Sequence, residues 1–298
     1  MPTRSRQSGS PPHAQSPYRH PMAKPSRRKP AIVRFSPAKA EKLAEVRRRL
    51  LYELGPLQTN PRGRAIDVFF RVVLSQNTSY PNAREGYRRL KRDLPTWKQV
   101  MAADASVVQR AIAVCGLGRM RAYRILAMLR KIEQDFGRLT LGPVGRMPLD
   151  EATAYLSSFH GVGPRTVNCT LLFGFDFPIF PVDNGILRVL RRLRIVPAKT
   201  PEDQVREVVE KHVDGRDRYA MHVLTYKLAK SHCRPRNPLC RDCPLLDLCP
   251  TGEARLKHRP AKTEPPPIAR PRKTSLATWA SGGVGRDERD DDRRQGPA

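Results

Sequence analysis

Apolar residues recur at helical spacing through most of the chain between residues 36 and 255, with short loops and no convincing alternation typical of strands. The segment 64–75 is apolar enough on all sides to predict a buried helix. The same periodicity predicts further helices at 38–54, 82–93, 105–115, 119–136, 150–159 and 216–231. The pattern therefore predicts an all-α fold.

Local signals predict where several helices begin and end. Asp104 and Asp150 stand where N-caps are expected, and Pro164 suits a first helical position. The segment 200–203, Thr-Pro-Glu-Asp, is similar to a capping box, and Gly55 marks the end of the first helix.

The two ends of the chain differ in composition from the helical part. Residues 1 to about 35 are rich in Pro, Ser, Arg and Lys, and residues from about 256 onward mix prolines, glycines and a charged run. Both ends are predicted to be disordered. The Arg- and Ser-rich start is also typical of organelle transit peptides, although its prolines interrupt an amphipathic helix.

Charge indicates the class of partner. Lys and Arg number 56 against 28 Asp and Glu, a formal net charge of +28, so a polyanion is the expected partner. Membranes and ribosomal RNA are polyanions too, and charge alone favours DNA only weakly. Because no apolar run is long enough to cross a bilayer and no secretory signal is visible, we expect a soluble intracellular protein without a membrane association.

Four of the six cysteines crowd into one segment with the spacing C-x6-C-x2-C-x5-C: Cys233, Cys240, Cys243 and Cys249. Zinc sites usually pair two C-x2-C knuckles across a longer gap, and only one such pair is present. A 4Fe-4S cubane needs four thiolates and no knuckle, so the spacing favours an iron-sulfur cluster over zinc. Cys115 and Cys169 stand apart in apolar helical contexts.

A glycine turn and a later aspartate are candidates for DNA chemistry. Gly161 and Gly163 flank a turn between two helices, where backbone N–H groups and a helix N-terminus can receive a phosphate, although the turn alone is also compatible with ordinary chain reversal. Asp183 begins a basic amphipathic helix, where it is either an N-cap or a carboxylate that stabilises positive charge on a sugar. The two roles are compatible.

The order of these motifs resembles the endonuclease III branch of the helix-hairpin-helix DNA glycosylases. It comprises the segment 74–79 (Leu-Ser-Gln-Asn-Thr-Ser), the turn 116–118 (Gly-Leu-Gly), the hairpin 159–166, Asp183 and the cysteine spacing, and covers about residues 37 to 252. The resemblance implies a helical barrel domain at 57–177, a second domain made of 36–56 and 178–255, and double-stranded DNA bound between them by a monomer. It further implies that Asp183 is catalytic, that Gln76 or Asn77 fills the gap left by an extruded base, and that the cluster is 4Fe-4S.

Position 165 departs from the family. Endonuclease III has a lysine there, whose neutral amine attacks the sugar and leads to strand cleavage. Arg165 stays charged and cannot do this, so the sequence predicts a monofunctional glycosylase, with Arg165 as a phosphate contact or a solvated charge. The alternatives are a bifunctional enzyme that recruits a lysine from elsewhere and a non-catalytic DNA-binding protein. The adenine-specific branch of the family has an acidic residue in the helix before the segment 74–79, and no acid occurs in 70–75 here, so the resemblance implies that adenine is not the base removed, and other lesions stay open.

Overall fold

A computed structural model describes residues 35–54 and 64–257, and within these two ranges it contains helices and no strand, which confirms the predicted all-α class. Short 3-10 turns occur at Ala113–Cys115 and Gly142–Arg146. The α-helices, in chain order, are α1 Pro37–Leu54, α2 Ala65–Leu74, α3 Tyr80–Asp93, α4 Trp97–Ala102, α5 Ala105–Ala111, α6 Gly118–Phe136, α7 Leu149–Ser157, α8 Pro164–Phe175, α9 Asn184–Arg192, α10 Glu202–His212, α11 Gly215–Ser231 and α12 Pro250–Lys257.

The buried apolar side chains form two separate clusters. The first draws on residues between Ile66 and Ile179, and α2 lies at its centre packed against α8. The second joins α1 to α9, α10 and α11, with Phe180 and Leu50 fully buried inside it. The first cluster ends at Ile179, and the second, which already includes residues of α1, continues from Phe180. The division into domains at 57–177 and at 36–56 with 178–255 stays a prediction.

Two of the predicted helix starts are wrong. Pro148 is the N-cap residue of α7, and Asp150 lies two residues later in the first turn. Its carboxylate therefore interacts favourably with the helix dipole but does not cap the helix. The capping box at 200–203 does not form, because Pro201 occupies the N-cap position and has no side-chain acceptor. Asp104 is at the N-cap of α5 but its side chain makes no capping hydrogen bond. Pro164 is the first residue of α8, as predicted.

Several element bounds also differ from the prediction. The helix expected over 105–115 ends at Ala111 and continues as a 3-10 turn. The short α4 was not predicted, although Thr96 and Gln99 form a complete capping box at its start. Residues 256 and 257, expected in a disordered tail, end α12. The predicted disorder of 1–34 and 258–298, and the helix stop at Gly55, lie outside the described residues.

Among the described residues, no helix is both long and apolar enough to cross a membrane.

Candidate functional site

The glycine turn of the sequence forms the connection between α7 and α8. Gly161 has φ +79°, a backbone conformation that favours glycine, and a Cβ added there would lie 3.2 Å from the guanidinium Nη1 of Arg124. Gly163 is the N-cap residue of α8 and is exposed, and a Cβ added there would meet no atom within 4 Å. Because no side chain caps α8, the N–H groups of its first turn are available to an anion.

Gln76 joins the loop after α2 to this hairpin. Its Nε2 donates to the carbonyl of Gly161 at 3.1 Å and to the hydroxyl of Thr166 at 2.9 Å. The next residue, Asn77, is exposed and has φ +52°, a left-handed conformation that asparagine tolerates. Two residues that the resemblance linked to DNA, Gln76 and Gly161, are therefore in direct contact although 85 positions separate them.

Arg121, which the sequence analysis did not single out, also holds the loop that contains Gln76. Its Nη1 donates to the carbonyl of Leu74 and its Nη2 to the carbonyl of Gln76, both at 2.7 Å. Arg121 is buried, and that burial lowers the pKa of its guanidinium. Sequence reasoning missed it because an arginine in a basic helix normally lies on the solvent side.

Leu117, between two glycines, protrudes into solvent at the N-cap of α6. It has φ +49° and its side chain is 69% exposed, so a large apolar group stands outside the core at the start of α6. The sequence showed the glycine turn but gave Leu117 no role. The sequence held no signal for it, because the left-handed φ and the exposure of Leu117 are visible only in the structure.

Asp183 is held at the start of α9 by two contacts. One carboxylate oxygen, Oδ1, accepts from the backbone N–H of Ile186 at 2.6 Å, which confirms the predicted N-cap. The other, Oδ2, lies 3.4 Å from Nη2 of Arg165 on α8. The Asp183 side chain is only 10% exposed, whereas that of Arg165 is 57% exposed. The structure thus brings Arg165 and Asp183 together at the edge of the hairpin.

A buried histidine fixes the segment that leads to Asp183. The Nδ1 atom of His222, on α11, lies 2.8 Å from the carbonyl oxygen of Pro181. Because a carbonyl oxygen can only accept a hydrogen bond, the proton of the neutral imidazole is on Nδ1. Burial lowers the pKa of His222 to about 4, although the nearby Asp183 charge acts in the opposite direction. The imidazole is therefore neutral at physiological pH, and it ties α11 to the chain two residues before the carboxylate.

The four clustered cysteines line one small cavity, together with apolar side chains such as Leu246. Burial raises the pKa of Cys243 to about 11, and it also raises the pKa of Cys249. Two of the sulfurs receive hydrogen bonds at 3.3 Å. Cys233 accepts from the guanidinium of Arg192, and Cys249 from the backbone N–H of Gly252.

The cavity lies at the far end of the helix that Asp183 begins, because Arg192 is the last residue of α9. Within residues 35–54 and 64–257, no group of three or more His, Cys, Asp or Glu side chains is close enough to hold a single metal ion.

Comparison with known proteins identifies the family of the chain. Residues 70–214 match the family model described as HhH-GPD superfamily base excision DNA repair protein. Endonuclease III of Bacillus subtilis is 30% identical over 157 residues, which are 53% of this chain and 68% of that protein. The DNA glycosylase/AP lyase ROS1 of Arabidopsis thaliana is 29% identical over 187 residues, 56% of this chain and 13% of that protein.

A solved structure of endonuclease III in a non-covalent complex with DNA has the same fold, with a TM-score of 0.64, 21% identity, and coverage of 73% of this chain and 98% of that one. The chain spans 65%, 13% and 10% of the length of three plant relatives that it matches. The matched residues 70–214 include the Gln76 loop, the hairpin and Asp183, and the match confirms the resemblance derived from the motifs. The chain belongs to the HhH-GPD superfamily of base excision DNA repair proteins, as an endonuclease III-like member.

Proposed function

We propose that the protein is a monofunctional DNA glycosylase that excises a damaged or mismatched base from double-stranded DNA and acts as a monomer. The observation that carries the proposal is the carboxylate of Asp183, which lies at a helix start and beside the hairpin, nearly buried but with one oxygen facing the cation of Arg165. A DNA-binding scaffold has no need of a carboxylate near the phosphodiester backbone, because it would repel the phosphates.

The two carboxylate oxygens of Asp183 have different partners, and this difference suggests how the residue acts in catalysis. Cleavage of an N-glycosidic bond builds positive charge on the deoxyribose, and a fixed carboxylate beside C1′ stabilises that charge. Oδ1 is committed to the N–H of Ile186 and keeps the group in place. Within the described part of the chain, the hydrogen-bond partner of Oδ2 is the exposed Arg165. When Arg165 turns toward a phosphate, Oδ2 becomes available to the sugar and to the attacking water.

Arg165 also determines the type of glycosylase. A lyase forms a Schiff base through a neutral amine, and a guanidinium stays protonated at any workable pH. With Arg165 at the hairpin position next to Asp183, water is the nucleophile and the product is an intact strand with an abasic site.

The DNA contacts in this proposal come from the surface around the hairpin. Gly161 and Gly163 let the backbone and the N-terminus of α8 approach a phosphate. Gln76 and Asn77 from one loop, and Leu117 from another, fill the space that an extruded base leaves in the duplex. The duplex lies between the barrel domain 57–177 and the domain formed by 36–56 and 178–255.

A 4Fe-4S cluster held by Cys233, Cys240, Cys243 and Cys249 is part of the same proposal. The donor set consists of sulfur alone, which suits iron-sulfur chemistry, and all four side chains line one cavity. Hydrogen bonds to two of the sulfurs, from Arg192 and from the N–H of Gly252, stabilise negative charge on ligating thiolates. When bound, the cluster supplies covalent cross-links that order the segment 233–249.

A panel of duplexes, each with one modified base, tests the proposal. Oxidised pyrimidines, mismatched uracil and thymine, and alkylated bases are incubated with the full chain, and the strands are cleaved afterwards with alkali. Excision from at least one duplex, with strand breaks only after alkali, is the expected result. Binding to every duplex with excision from none would instead support the non-catalytic alternative.

A further inference from the structure

Three large apolar side chains are exposed in a row at the start of α6. Leu117 is 69% exposed, Met120 59% and Tyr123 57%. Elsewhere in the described residues only Tyr52 and Leu149 are large apolar residues with comparable exposure. Single exposed apolar residues are common on proteins, but three within seven positions form a candidate binding surface.

The row adjoins the surface that the proposed function assigns to DNA. Met120 and Tyr123 are three positions apart on a helix and therefore lie on neighbouring parts of its solvent face. Arg124 follows Met120 by four positions, and its guanidinium lies against Gly161 of the hairpin. From the same turn of α6, Arg121 holds the carbonyl of Gln76. Met120 and Tyr123 thus extend outward from the residues that position the hairpin and the Gln76 loop.

Charge around the row indicates what it binds. Arg119 is exposed within the row and Arg124 is partly buried at its edge, so apolar and aromatic groups alternate with guanidinium groups. A nucleic acid base offers a flat apolar face next to an anionic phosphate, and stacking on an aromatic ring with nearby arginines is the usual way in which proteins hold unpaired bases. A fully paired duplex keeps its base faces stacked and offers them to no side chain.

We infer that Met120 and Tyr123 bind unpaired bases next to the extruded nucleotide, so that the protein prefers lesions in locally unpaired DNA, such as bubbles and runs of mismatches. This inference rests on the DNA binding of the proposed function, and it extends the contact beyond Leu117. Tyr123 suits the role because a tyrosine side chain loses little rotamer freedom on stacking.

Binding of undamaged DNA tests the inference without requiring base excision. Fluorescence anisotropy compares a labelled duplex that is fully paired with one that carries a central run of about five unpaired thymines. For the wild-type full chain we expect tighter binding to the bubble. For the double variant M120S/Y123S that preference should fall roughly tenfold, within the range caused by loss of a base-stacking aromatic, while affinity for paired DNA and its salt dependence stay unchanged.

Tyr52 of α1 provides the matched control, because it is 83% exposed and lies outside the row. The variant Y52S should keep the wild-type preference, and circular dichroism should show that all variants fold. The inference would be overturned if M120S/Y123S kept the wild-type preference for the bubble over paired DNA. It would also be overturned if Y52S lost that preference to the same extent as M120S/Y123S. So would gel filtration in which M120S/Y123S converts an oligomer into a monomer, since the row would then join copies of the chain.

The two proposals fail separately. A bubble preference that depends on Tyr123, in a protein that excises no base from the panel, would support the inference and contradict the glycosylase. Excision without any bubble preference would support the glycosylase and contradict the inference.

Discussion

The guanidinium of Arg165 lies 3.4 Å from the carboxylate of Asp183, and the two side chains differ sharply in burial, at 57% and 10% exposed. Ion pairs in which one partner is exposed contribute little to stability, typically under about 1 kcal/mol. The two side chains are also held differently, because Asp183 is anchored by the N–H of Ile186 while more than half of the Arg165 side chain is exposed to solvent. The arginine can therefore exchange its partner without moving the carboxylate.

Replacement of Asp183 by asparagine should separate binding from chemistry. The amide oxygen can still cap α9 through Ile186, but the negative charge beside the sugar is lost. We expect the single-turnover excision rate to fall about 100-fold or more, on the scale of other electrostatic contributions to catalysis, with affinity for damaged duplex preserved. Asp214→Asn is the matched control, since Asp214 caps α11 and lies outside the site. An unchanged excision rate in Asp183→Asn would remove the carboxylate from the mechanism.

Borohydride trapping distinguishes the two types of glycosylase. Without an amine at position 165, the wild-type protein should form no covalent adduct with DNA, and Arg165→Lys should form one to the extent that its surroundings allow a neutral amine. Lys227 is the first residue to test if the wild-type protein is trapped, because burial lowers the pKa of its ammonium. Trapping that disappears in Lys227→Ala would show that the enzyme is a lyase and that the role given to Arg165 is wrong.

Arg121→Met should destabilise the protein and loosen the Gln76 loop. The carbonyls of Leu74 and Gln76 both lose their donor, and a buried carbonyl without a donor costs about 1–3 kcal/mol. Urea unfolding measures this loss, and excision should weaken with it because the loop also holds the hairpin. Arg119→Met, at an exposed position two residues earlier, should change stability by less than about 0.5 kcal/mol. Equal effects of the two substitutions would contradict the role of Arg121.

His222 should make stability depend on pH. Its pKa in the folded protein is about 4, below the ordinary value of 6.5, so between these values the unfolded chain binds a proton that the folded protein excludes. The stabilisation is complete above pH 6.5 and is lost as the pH falls toward 4, by at most on the order of 3 kcal/mol.

Urea unfolding of His222→Gln against pH measures this contribution, since glutamine can donate to Pro181 without titrating in this range. The pH dependence should be shallower than in the wild type. A slope equal to the wild type in His222→Gln would show that other groups cause the pH dependence.

Cys240→Ser should remove the cluster. The purified wild-type protein should be brown, with about four iron atoms per chain and broad absorbance near about 400 nm, and the variant should lose both signals. Cys115→Ser is the control, because Cys115 lies outside the cavity and donates to the carbonyl of Asn82, a contact that serine can keep. One zinc per colourless chain would show that the spacing was interpreted wrongly.

The sequence predicted the parts of the fold and site that depend on neighbours in the chain. Pro164 begins a helix and Asp183 caps one because both effects act within three residues. The capping box at 200–203 was wrong because its proline occupies the cap position. Arg121 could not be found in this way, since its partners are 45 and 47 residues away and its burial is decided by tertiary packing.

The contacts of Arg121 and Gln76 have a consequence for the thermodynamics of association. Two guanidinium bonds to carbonyls and two amide bonds to the hairpin fix the loop before any DNA arrives. The conformational entropy of ordering this loop is therefore lost when the chain folds and not when the complex forms. In the proposed complex, where this loop enters the duplex, a rigid loop leaves the deformation to the DNA, so the stiffness of the base steps around a lesion contributes to the free energy of binding there.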